Sequence, residues 1–431
     1  MNPSDPTQHL LAAARERDAA DPLRHFRSGF SIPRHTDGSD TLYFTGNSLG
    51  LLHQASEAAL GEVMQAWKER GVEGHFTGER PWTRYHELLR EGLAELTGAE
   101  PGEVIAMNTL TVNLHLGMVS FYRPEGRRTR IVIEKQAFPS DRYAVESQIR
   151  FHGLDPDECL VELESADGRR LLDETDIEDY LERSGDTVAL VLWPGVQYAT
   201  GQVFDLPRIA AASRAAGARV GFDLAHAIGN VPVALGESDC DFAAWCTYKY
   251  LNAGPGAIAG MYVNKRYDRR TDLPRFNGWF GNDLATRFRM APEFDPAPGV
   301  EAWVLSTPPT LAIAPLLGSL QVFAEAGLDR LRAKSLDMTG WLAAAIQREL
   351  DDVLEIITPL EDDRRGCQLS LRVRAGRDAG RALFECLEHS GALPDWREPD
   401  VIRVAPVPLY NRYEDCARLV ALIRTWADRK N

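Results

Sequence analysis

The sequence lacks the cysteine patterns of a metal site or a disulfide framework. Its six cysteines are scattered through 431 residues without paired spacing, and neither C-x-x-C nor H-E-x-x-H occurs. Zinc sites and small disulfide scaffolds depend on such spacings. We therefore expect reduced thiols and no bound metal.

Long apolar runs and an excess of positive charge are also missing. No apolar run approaches the roughly 20 residues that span a bilayer, and the start, Met1-Asn-Pro-Ser-Asp-Pro, lacks the order of a secretory signal. The formal net charge is −15, with 48 Lys and Arg against 63 Asp and Glu. Binding to nucleic acid needs basic patches that displace counterions. These absences predict a cytoplasmic protein without a nucleic-acid or membrane partner.

Apolar strands and amphipathic helices alternate along the middle of the chain. The predicted order is strand 159–164, helix 174–183, strand 187–193, helix 206–216 and strand 219–223. Such alternation is typical of a mainly parallel sheet with helices on both faces. The C-terminal part instead predicts a smaller α+β domain. We expect an α/β fold with residues 1–50 as an N-terminal arm and substrate loop that joins the small domain, 51–310 as the large domain and 311–431 as the small domain.

A lysine and an aspartate follow two neighbouring apolar strands. Asp223 ends Val220-Gly-Phe, and Lys249 stands between an apolar run and the turn Asn252-Ala-Gly-Pro-Gly256. Aromatic neighbours would lower the pKa of Lys249 and favour the free amine. A carboxylate ending an apolar strand needs a partner, either a backbone cap or a pyridinium N–H. The pair predicts a pyridoxal phosphate enzyme, in which the lysine forms the imine and the aspartate keeps the pyridine nitrogen protonated.

Polar residues in three predicted loops are further candidates. Ser48 lies between Gly46 and Gly50, which suits either a turn into the next helix or a substrate-facing loop. His75 lies in a glycine-rich linker and is either surface or functional. Thr111 begins a helix, where free backbone amides favour an anion, although threonine is also a common N-cap.

Two more positions carry weaker signals. Phe138-Pro-Ser-Asp141 is a strand-to-helix turn that helix-start preferences alone explain. Arg403 lies inside the apolar strand Val401–Ala405. A buried arginine needs a carboxylate, supplied by an internal acid or by an amino-acid substrate.

Taken together and in order, these segments resemble the kynureninase family, pyridoxal phosphate enzymes of aminotransferase-like fold type I. The resemblance covers nearly the whole chain. It rests on Gly46-Asn-Ser-Leu-Gly50, Met107-Asn-Thr-Leu-Thr-Val-Asn-Leu-His115, Phe138-Pro-Ser-Asp141, Trp193-Pro-Gly-Val-Gln-Tyr-Ala-Thr-Gly201, Phe222-Asp-Leu-Ala-His226, Trp245-Cys-Thr-Tyr-Lys249, Gly278-Trp-Phe-Gly281 and Ile402-Arg-Val-Ala-Pro-Val-Pro408.

The resemblance implies a set of site residues. It implies that the cofactor, pyridoxal 5'-phosphate, is bound by Leu110, Thr111, Phe138, Ser140, Asp141, Asp223, His226, Tyr248, Lys249, Trp279 and Thr307. Catalysis would rest on Lys249, Tyr248 and Asp223, with Phe138 stacked on the cofactor ring. Arg403 would anchor the substrate α-carboxylate, and Ser48 and His75 would lie near the substrate. The family pairs two subunits that share their active sites, and we expect Trp279 and Thr307 to serve the neighbouring site.

The implied reaction is hydrolysis of L-kynurenine, or 3-hydroxy-L-kynurenine, to anthranilate, or 3-hydroxyanthranilate, and L-alanine. It belongs to tryptophan catabolism and to the route toward NAD. Residue 307 varies within the family, so the ring preference stays open. Alternatives are another fold type I enzyme, such as an aminotransferase or a cysteine desulfurase, with Cys367 as the nearest candidate cysteine, or a silent regulator, which would be expected to lose Lys249 or Asp223.

Overall fold

The computed structural model describes residues 8–165 and 169–429, and the strands in these ranges form three sheets. The strands are β1 (Leu42–Tyr43), β2 (Val104–Ala106), β3 (Arg130–Glu134), β4 (Leu160–Leu163), β5 (Val188–Pro194), β6 (Arg219–Asp223), β7 (Phe242–Trp245), β8 (Gly260–Val263), β9 (Leu354–Ile356), β10 (Leu369–Val373), β11 (Ala392–Leu393), β12 (Asp395–Arg397) and β13 (Val401–Val404).

The described residues form fourteen α-helices, some of which pack on each face of the largest sheet. They are α1 (Gln8–Ala20), α2 (Gln54–Arg70), α3 (Arg90–Thr97), α4 (Leu110–Phe121), α5 (Pro139–Phe151), α6 (Pro156–Cys159), α7 (Glu174–Ser184), α8 (Leu206–Ala215), α9 (Leu235–Ser238), α10 (Leu284–Arg287), α11 (Thr310–Ala326), α12 (Leu328–Glu349), α13 (Arg377–His389) and α14 (Tyr413–Asp428). Short 3-10 helices include Gly71–His75, Trp82–Leu89 and Trp279–Gly281.

The largest sheet has seven strands in the order β2-β8-β7-β6-β5-β3-β4. Six of the seven strands run in one direction, and β8 runs in the opposite one. Parallel strands place their carboxyl ends at one edge of a sheet, which is where α/β folds bind ligands. The ends of β3 and β6 and the turn after β7 therefore meet at one edge. This confirms the predicted α/β fold.

Alternate residues of the central strands pack into two different cores. Val191 and Trp193 of β5 belong to one core, whereas Leu190 and Leu192 belong to the other. Side chains of a strand alternate between its faces, and a parallel sheet covered on both sides is apolar on both. The unbroken apolar sequence of β5 follows from this double burial.

The small domain is built on the antiparallel sheet β12-β13-β10-β9. The N-terminal arm shares its core, because Leu10 and Phe44 pack in one cluster with Met338, and β1 pairs with β11. Ile313 and Leu320 of α11 instead pack in a core of the large domain. We therefore propose that the small domain begins near Gly327 rather than at residue 311.

The predicted elements of the alternating region agree with the observed ones to within one residue at each end; the strand predicted over 159–164, for example, is β4, Leu160–Leu163. Residues 1–7 lie outside the described ranges, and α1 is described from Gln8 to Ala20. The strand β8 begins at Gly260. Gly254 and Gly256 have φ of 90° and 71° and form a turn before it, a conformation that glycine adopts without strain.

One helix pair stands out by its apolar composition. No single helix within residues 8–165 and 169–429 is long and apolar enough to cross a membrane. The helices α11 and α12 reach that length and composition only as a pair, with a bend of 78° between them.

Candidate active site

A cavity of about 430 Å³ opens at the carboxyl edge of the large sheet. It is lined by ten of the residues that the family resemblance implied, namely Ser48, Leu110, Thr111, Phe138, Ser140, Asp141, Asp223, His226, Tyr248 and Lys249. These residues come from five separate segments of the sequence. The parallel topology thus brings most of the predicted site together.

The loop that carries Ser48 is pressed against the turn that carries Lys249. The Gly50 amide donates to the Tyr248 carbonyl oxygen at 2.8 Å. A Cβ at position 50 would lie 2.3 Å from the Lys249 carbonyl oxygen, so only glycine fits there without a shift of the turn. This close approach explains why the loop is glycine-bounded and why Ser48 reaches the cavity wall.

Lys249 contacts His226 across the cavity. Its Nζ lies 3.0 Å from His226 Nε2. Burial lowers the pKa of His226 well below its usual value, and the positive charges of Lys249, Arg403 and Arg397 lower it further. The imidazole is therefore neutral at physiological pH. Its Nδ1 is buried and has no hydrogen-bond partner among the described residues.

Asp223 is a buried carboxylate at the end of β6. Its Oδ1 accepts a hydrogen bond from the Ala225 amide at 2.7 Å. This is the backbone cap, one of the two partners that the sequence suggested for a carboxylate at the end of an apolar strand. The cap engages one oxygen, and the side chain still lines the cavity. A cap and a cofactor partner are therefore compatible.

Two further carboxyl groups lie beside Asp223. Burial and then the charge of Asp223 raise the pKa of Asp141 well above its usual value. Burial raises the pKa of Glu134 to about 8, against the opposing effect of a hydrogen bond from Gln197. Carboxyl groups this close together resist being ionised at the same time, because their negative charges repel one another. The cavity wall therefore holds carboxyl protons at neutral pH.

Gln197 is fixed in orientation by its own backbone contacts. Its Oε1 accepts the amides of Ala199 and Thr200 at 2.6 and 2.8 Å. The Nε2 group must then face the other way, where it lies 3.3 Å from Glu134 Oε1. The loop after β5 thereby holds Glu134 at the cavity.

Two helices begin at the cavity wall. Thr109, Leu110 and Thr111 line the cavity at the start of α4, and Thr111 Oγ1 lies 2.8 Å from Ser140 Oγ in the first turn of α5. Free amides and hydroxyl groups at helix starts bind anions. This corner is suited to a phosphate group.

Aromatic residues complete the wall. The ring of Phe138 is 42% exposed and meets Tyr198 edge-on at a centroid distance of 5.3 Å, which leaves a face available for stacking. Burial raises the pKa of the Tyr248 phenol, so it keeps its proton at neutral pH. A protonated phenol beside Lys249 is a proton donor.

These groups fit pyridoxal phosphate. The cavity offers a lysine amine, a buried carboxylate for a pyridinium nitrogen, an exposed aromatic face and an anion-binding corner. The unpartnered Nδ1 of His226 is a further polar atom for a ligand to satisfy.

Four predicted site residues do not line the cavity. Trp279 is 44% exposed and Thr307 is exposed, both away from it. His75 packs against Trp82 with ring centroids 5.2 Å apart. Arg403 has no exposed surface and binds Asp395 and the carbonyl oxygen of Tyr198. An internal acid therefore does pair with Arg403.

Other residues line the cavity that the sequence had not singled out. They include Glu134, Tyr198 and Arg397. Glu134 ends an apolar strand as Asp223 does, so the same signal was present. Tyr198 lies in the segment 193–201, one of the segments that carry the family resemblance, whereas nothing in the sequence marked Arg397.

The segment Gly46–Gly50 also matches the letters of the G-x-S-x-G nucleophile elbow. Such an elbow needs a strand that leads through a sharp turn into a helix. Ser48 instead follows the two-residue strand β1, its amide donates to the Thr45 carbonyl oxygen, and α2 begins only at Gln54. The context of a serine hydrolase is absent from this segment.

Solved structures share the fold at low identity. A C-DES variant with glycine covalently linked to its PLP cofactor has a TM-score of 0.74 and 19% identity, covering 89% of this chain and 97% of that one. The apo cysteine desulfurase from Thermococcus onnurineus NA1 has a TM-score of 0.73 and 16% identity, covering 90% and 95%. Such likeness establishes the fold alone.

The fold and the lysine–aspartate site define a pyridoxal phosphate-dependent enzyme of fold type I. The family model for the kynureninase C-terminal domain matches residues 331–423. The kynureninase of Stenotrophomonas maltophilia (strain K279a) is 58% identical, covering 95% of this chain and 96% of that protein. The chain belongs to the kynureninase family, as its motifs predicted.

Proposed function

We propose that the protein hydrolyses L-kynurenine, its 3-hydroxy form, or both, to anthranilate or 3-hydroxyanthranilate and L-alanine, with pyridoxal 5'-phosphate as cofactor. Water adds across the bond between Cβ and Cγ, which breaks. The observation that carries the proposal is the placement of Lys249 and the buried Asp223 on one cavity in a chain of this family.

The chain's own residues handle protons around the cofactor. When bound, pyridoxal phosphate supplies an electron sink for charge that develops at the substrate Cα. Lys249 Nζ, held by His226, is placed to move the proton from Cα. Tyr248 holds a phenolic proton that it can donate to Cβ, which becomes the methyl carbon of alanine once the bond to Cγ has broken. Asp223 would balance the charge of the pyridinium nitrogen.

Different residues are proposed to bind the cofactor and the substrate. Leu110, Thr111 and Ser140 would hold the phosphate, and Phe138 would stack on the ring. Ser48 lines the cavity and is a proposed substrate contact; Arg403 and His75, which do not line it in this subunit, are the other two that the family motifs imply. Asp141, whose raised pKa keeps it protonated, would donate to Asp223 rather than repel it.

A homodimer with shared sites is part of the proposal. Trp279 and Thr307 lie away from the cavity of their own subunit, as residues that serve a neighbouring site would. Trp279 also belongs to an exposed aromatic cluster with Phe288, at a centroid distance of 5.5 Å, and Phe76, which lies 6.2 Å from Phe288. Exposed clusters of this kind mark protein interfaces.

The fold neighbours favour one second candidate, a cysteine desulfurase. That reaction needs an accessible thiolate. Cys367 is 1% exposed, and burial raises the pKa of its thiol to about 12. Cys246, nearer to the cavity, is also buried with a raised pKa. Neither thiol suits sulfur transfer.

The distinguishing experiment offers both substrates to the purified, cofactor-loaded protein. We expect L-kynurenine to release fluorescent anthranilate and L-cysteine to release no sulfide. The relative rates of cleavage of kynurenine and 3-hydroxykynurenine then measure the ring preference. That preference indicates whether the enzyme serves tryptophan catabolism or NAD formation, which we propose takes place in the cytoplasm. Sulfide release without anthranilate would replace the proposal by its alternative.

A further inference from the structure

The backbone that carries Trp279 is pressed against a neighbouring part of the chain by two glycines. A Cβ at Gly278 would overlap the Leu305 carbonyl oxygen, and one at Gly281 would lie 2.8 Å from the Val304 carbonyl oxygen. Glycine is the residue that allows two backbones to approach this closely. The path of the chain on both sides of Trp279 is therefore fixed.

The side chain of Arg287 supports the aromatic residues that flank Trp279. Its guanidinium group lies over the ring of Phe280, 3.9 Å from the ring centroid. Phe288, the next residue in the chain after Arg287, meets the Trp279 ring edge-on at a centroid distance of 5.5 Å. Arg287 is also tied to this segment, because its Nε and Nη2 donate to the Asn282 carbonyl oxygen at 3.1 and 3.0 Å. The orientation of the Trp279 side chain therefore depends on the position of Arg287.

Glu301 holds Arg287 in this position. Its Oε1 accepts a hydrogen bond from Arg287 Nη2 at 3.1 Å, its Oε2 accepts one from Arg90, and Nε2 of His86 lies 3.9 Å from Oε1. The side chains of Arg287 and Glu301 are only 2% and 12% exposed. Burial alone would raise the pKa of Glu301, but the three basic side chains around it lower the pKa to about 2. Glu301 is therefore a buried, ionised anchor for Arg287 at neutral pH.

We propose that Glu301 is a positioning residue that acts through Arg287 to hold Trp279 against the cofactor phosphate in the site of the neighbouring subunit. The inference rests on the proposed function, of which a homodimer with shared sites is a part. The indole N–H of Trp279 is a donor that a phosphate oxygen can accept, and such a hydrogen bond weakens steeply as its angle departs from linear. Glu301 does not line the cavity of its own subunit, so its effect on the cofactor passes through other residues.

The first test measures cofactor affinity instead of activity. Glu301→Gln keeps the shape of the side chain and removes the charge that holds Arg287. Equilibrium dialysis of the loaded enzyme against graded pyridoxal phosphate should show a dissociation constant raised about tenfold, as expected for loss of one hydrogen bond to a charged group. Arg287→Lys should have a smaller effect in the same direction, because lysine keeps the charge but not the planar group that covers Phe280.

Asp241→Asn is the matched control for loss of a buried ion pair. Asp241 is a buried carboxylate that lies 3.3 Å from Arg219 and 2.8 Å from Arg266, and it precedes β7 at the sheet edge opposite the cavity. We expect both variants to melt at a lower temperature than wild type, and Glu301→Gln alone to bind the cofactor more weakly. An equal loss of cofactor affinity in Asp241→Asn would assign the effect to general destabilisation and overturn the role of Glu301.

A double-mutant cycle tests whether Glu301 acts through Trp279. Trp279→Ala removes the proposed phosphate contact and should itself raise the dissociation constant of the cofactor about tenfold. Residues that act through the same contact have non-additive effects. Glu301→Gln should therefore change the constant by less than about twofold when Trp279 is already alanine. Full additivity of the two losses would overturn the inference.

Hybrid dimers test whether the effect crosses from one subunit to the other. In a dimer of one wild-type and one Lys249→Ala chain, purified through two different affinity tags, only the wild-type chain has the lysine proposed to form the imine, so the visible absorbance reports a single site. Glu301→Gln on the Lys249→Ala chain should weaken cofactor binding at that site about tenfold, because that chain supplies Trp279. Glu301→Gln on the chain that keeps Lys249 should leave the affinity unchanged. The reverse pattern, or equal losses in both hybrids, would overturn the inference.

Two measurements on wild type separate the failure of this inference from the failure of the proposed function. If wild type released no anthranilate from L-kynurenine but the hybrids behaved as expected, the proposed reaction would fail while the role of Glu301 stood. If wild type released anthranilate and Glu301→Gln bound the cofactor as tightly as wild type, the reaction would stand and the inference would fail. A monomeric mass for wild type in solution would remove the shared site, and the inference with it.

Discussion

Nζ of Lys249, a half-buried side chain, lies 3.0 Å from Nε2 of the buried His226 at the wall of the cavity. The lowered pKa of His226 excludes a charged imidazolium beside the lysine. The neutral ring therefore orients the amine without adding a second positive charge. We therefore propose that His226 positions Lys249, in addition to its expected contact with the cofactor.

Replacement of His226 by alanine should slow anthranilate release by about 10- to 100-fold, because a reacting group displaced by an ångström loses rate of this order. Steady-state assays of the cofactor-saturated variant measure the effect. His25→Ala is the matched control, since His25 is exposed and outside the cavity. Equal rates for His226→Ala and wild type would contradict the positioning role.

Replacement of Lys249 by alanine should abolish the yellow colour of the cofactor-loaded protein, because Lys249 is the residue that we propose forms the imine with the cofactor. Anthranilate release should fall by about three orders of magnitude or more through loss of the proton-transfer group. Absorbance spectra and the fluorescence assay measure both effects. Lys265→Ala, which removes a surface lysine paired with Glu100, should change neither. A colourless wild type saturated with cofactor would refute the cofactor assignment.

Replacement of Gly50 by alanine should disturb the Lys249 turn, because the added Cβ would lie 2.3 Å from the Lys249 carbonyl oxygen. Relief of such a clash costs about 1–3 kcal/mol of folding free energy. We expect a lower melting temperature and weaker cofactor binding. Gly61→Ala in α2 is the control, since a Cβ there meets no atom within 4 Å and alanine favours the helix. A melting temperature of Gly50→Ala equal to those of Gly61→Ala and wild type would show that the turn accommodates the methyl group.

The sheet edge could be predicted from sequence because its signals are local. Asp223 ends an apolar strand and Lys249 stands before a glycine-rich turn, and parallel topology brings such ends together. The signal for Glu134 was of the same kind. The family motifs then placed residues such as Phe138 and Ser48, whose patterns alone were equally consistent with plain structural roles.

Arg397 could not be predicted because its position depends on non-local pairing. The strand β12 has three half-buried residues and no apolar alternation, so it resembles a loop in the sequence. Only its pairing with β13 places Asp395 opposite Arg403 and brings Arg397 to the cavity. The sequence had left open whether Arg403 pairs with an internal acid or with a substrate carboxylate. The pairing of β12 with β13 supplies an internal acid, Asp395, which Arg403 shares with Arg397.

Glu134 should make the cofactor-free protein less stable as pH rises. Burial raises its pKa from the model-compound value of 4.5 to about 8, so between these values the folded protein retains a proton that the unfolded chain releases. A state that binds more protons loses relative stability as pH increases. The contribution of Glu134 to the free energy of unfolding therefore falls from pH 5 to pH 8. It then levels off.

Replacement of Glu134 by glutamine should remove this contribution, because the amide mimics the protonated carboxyl group and keeps an acceptor for Gln197. We expect the melting temperature of Glu134→Gln to exceed that of wild type by a margin that grows between pH 5 and pH 8. Asp141, whose pKa is also raised, should leave a residual slope in the same direction. Glu164→Gln, an exposed glutamate paired with Lys135, is the control and should follow the wild-type slope. Parallel curves for Glu134→Gln and wild type would mean that Glu134 is ionised in the folded protein, with a cation or water in the cavity to balance its charge.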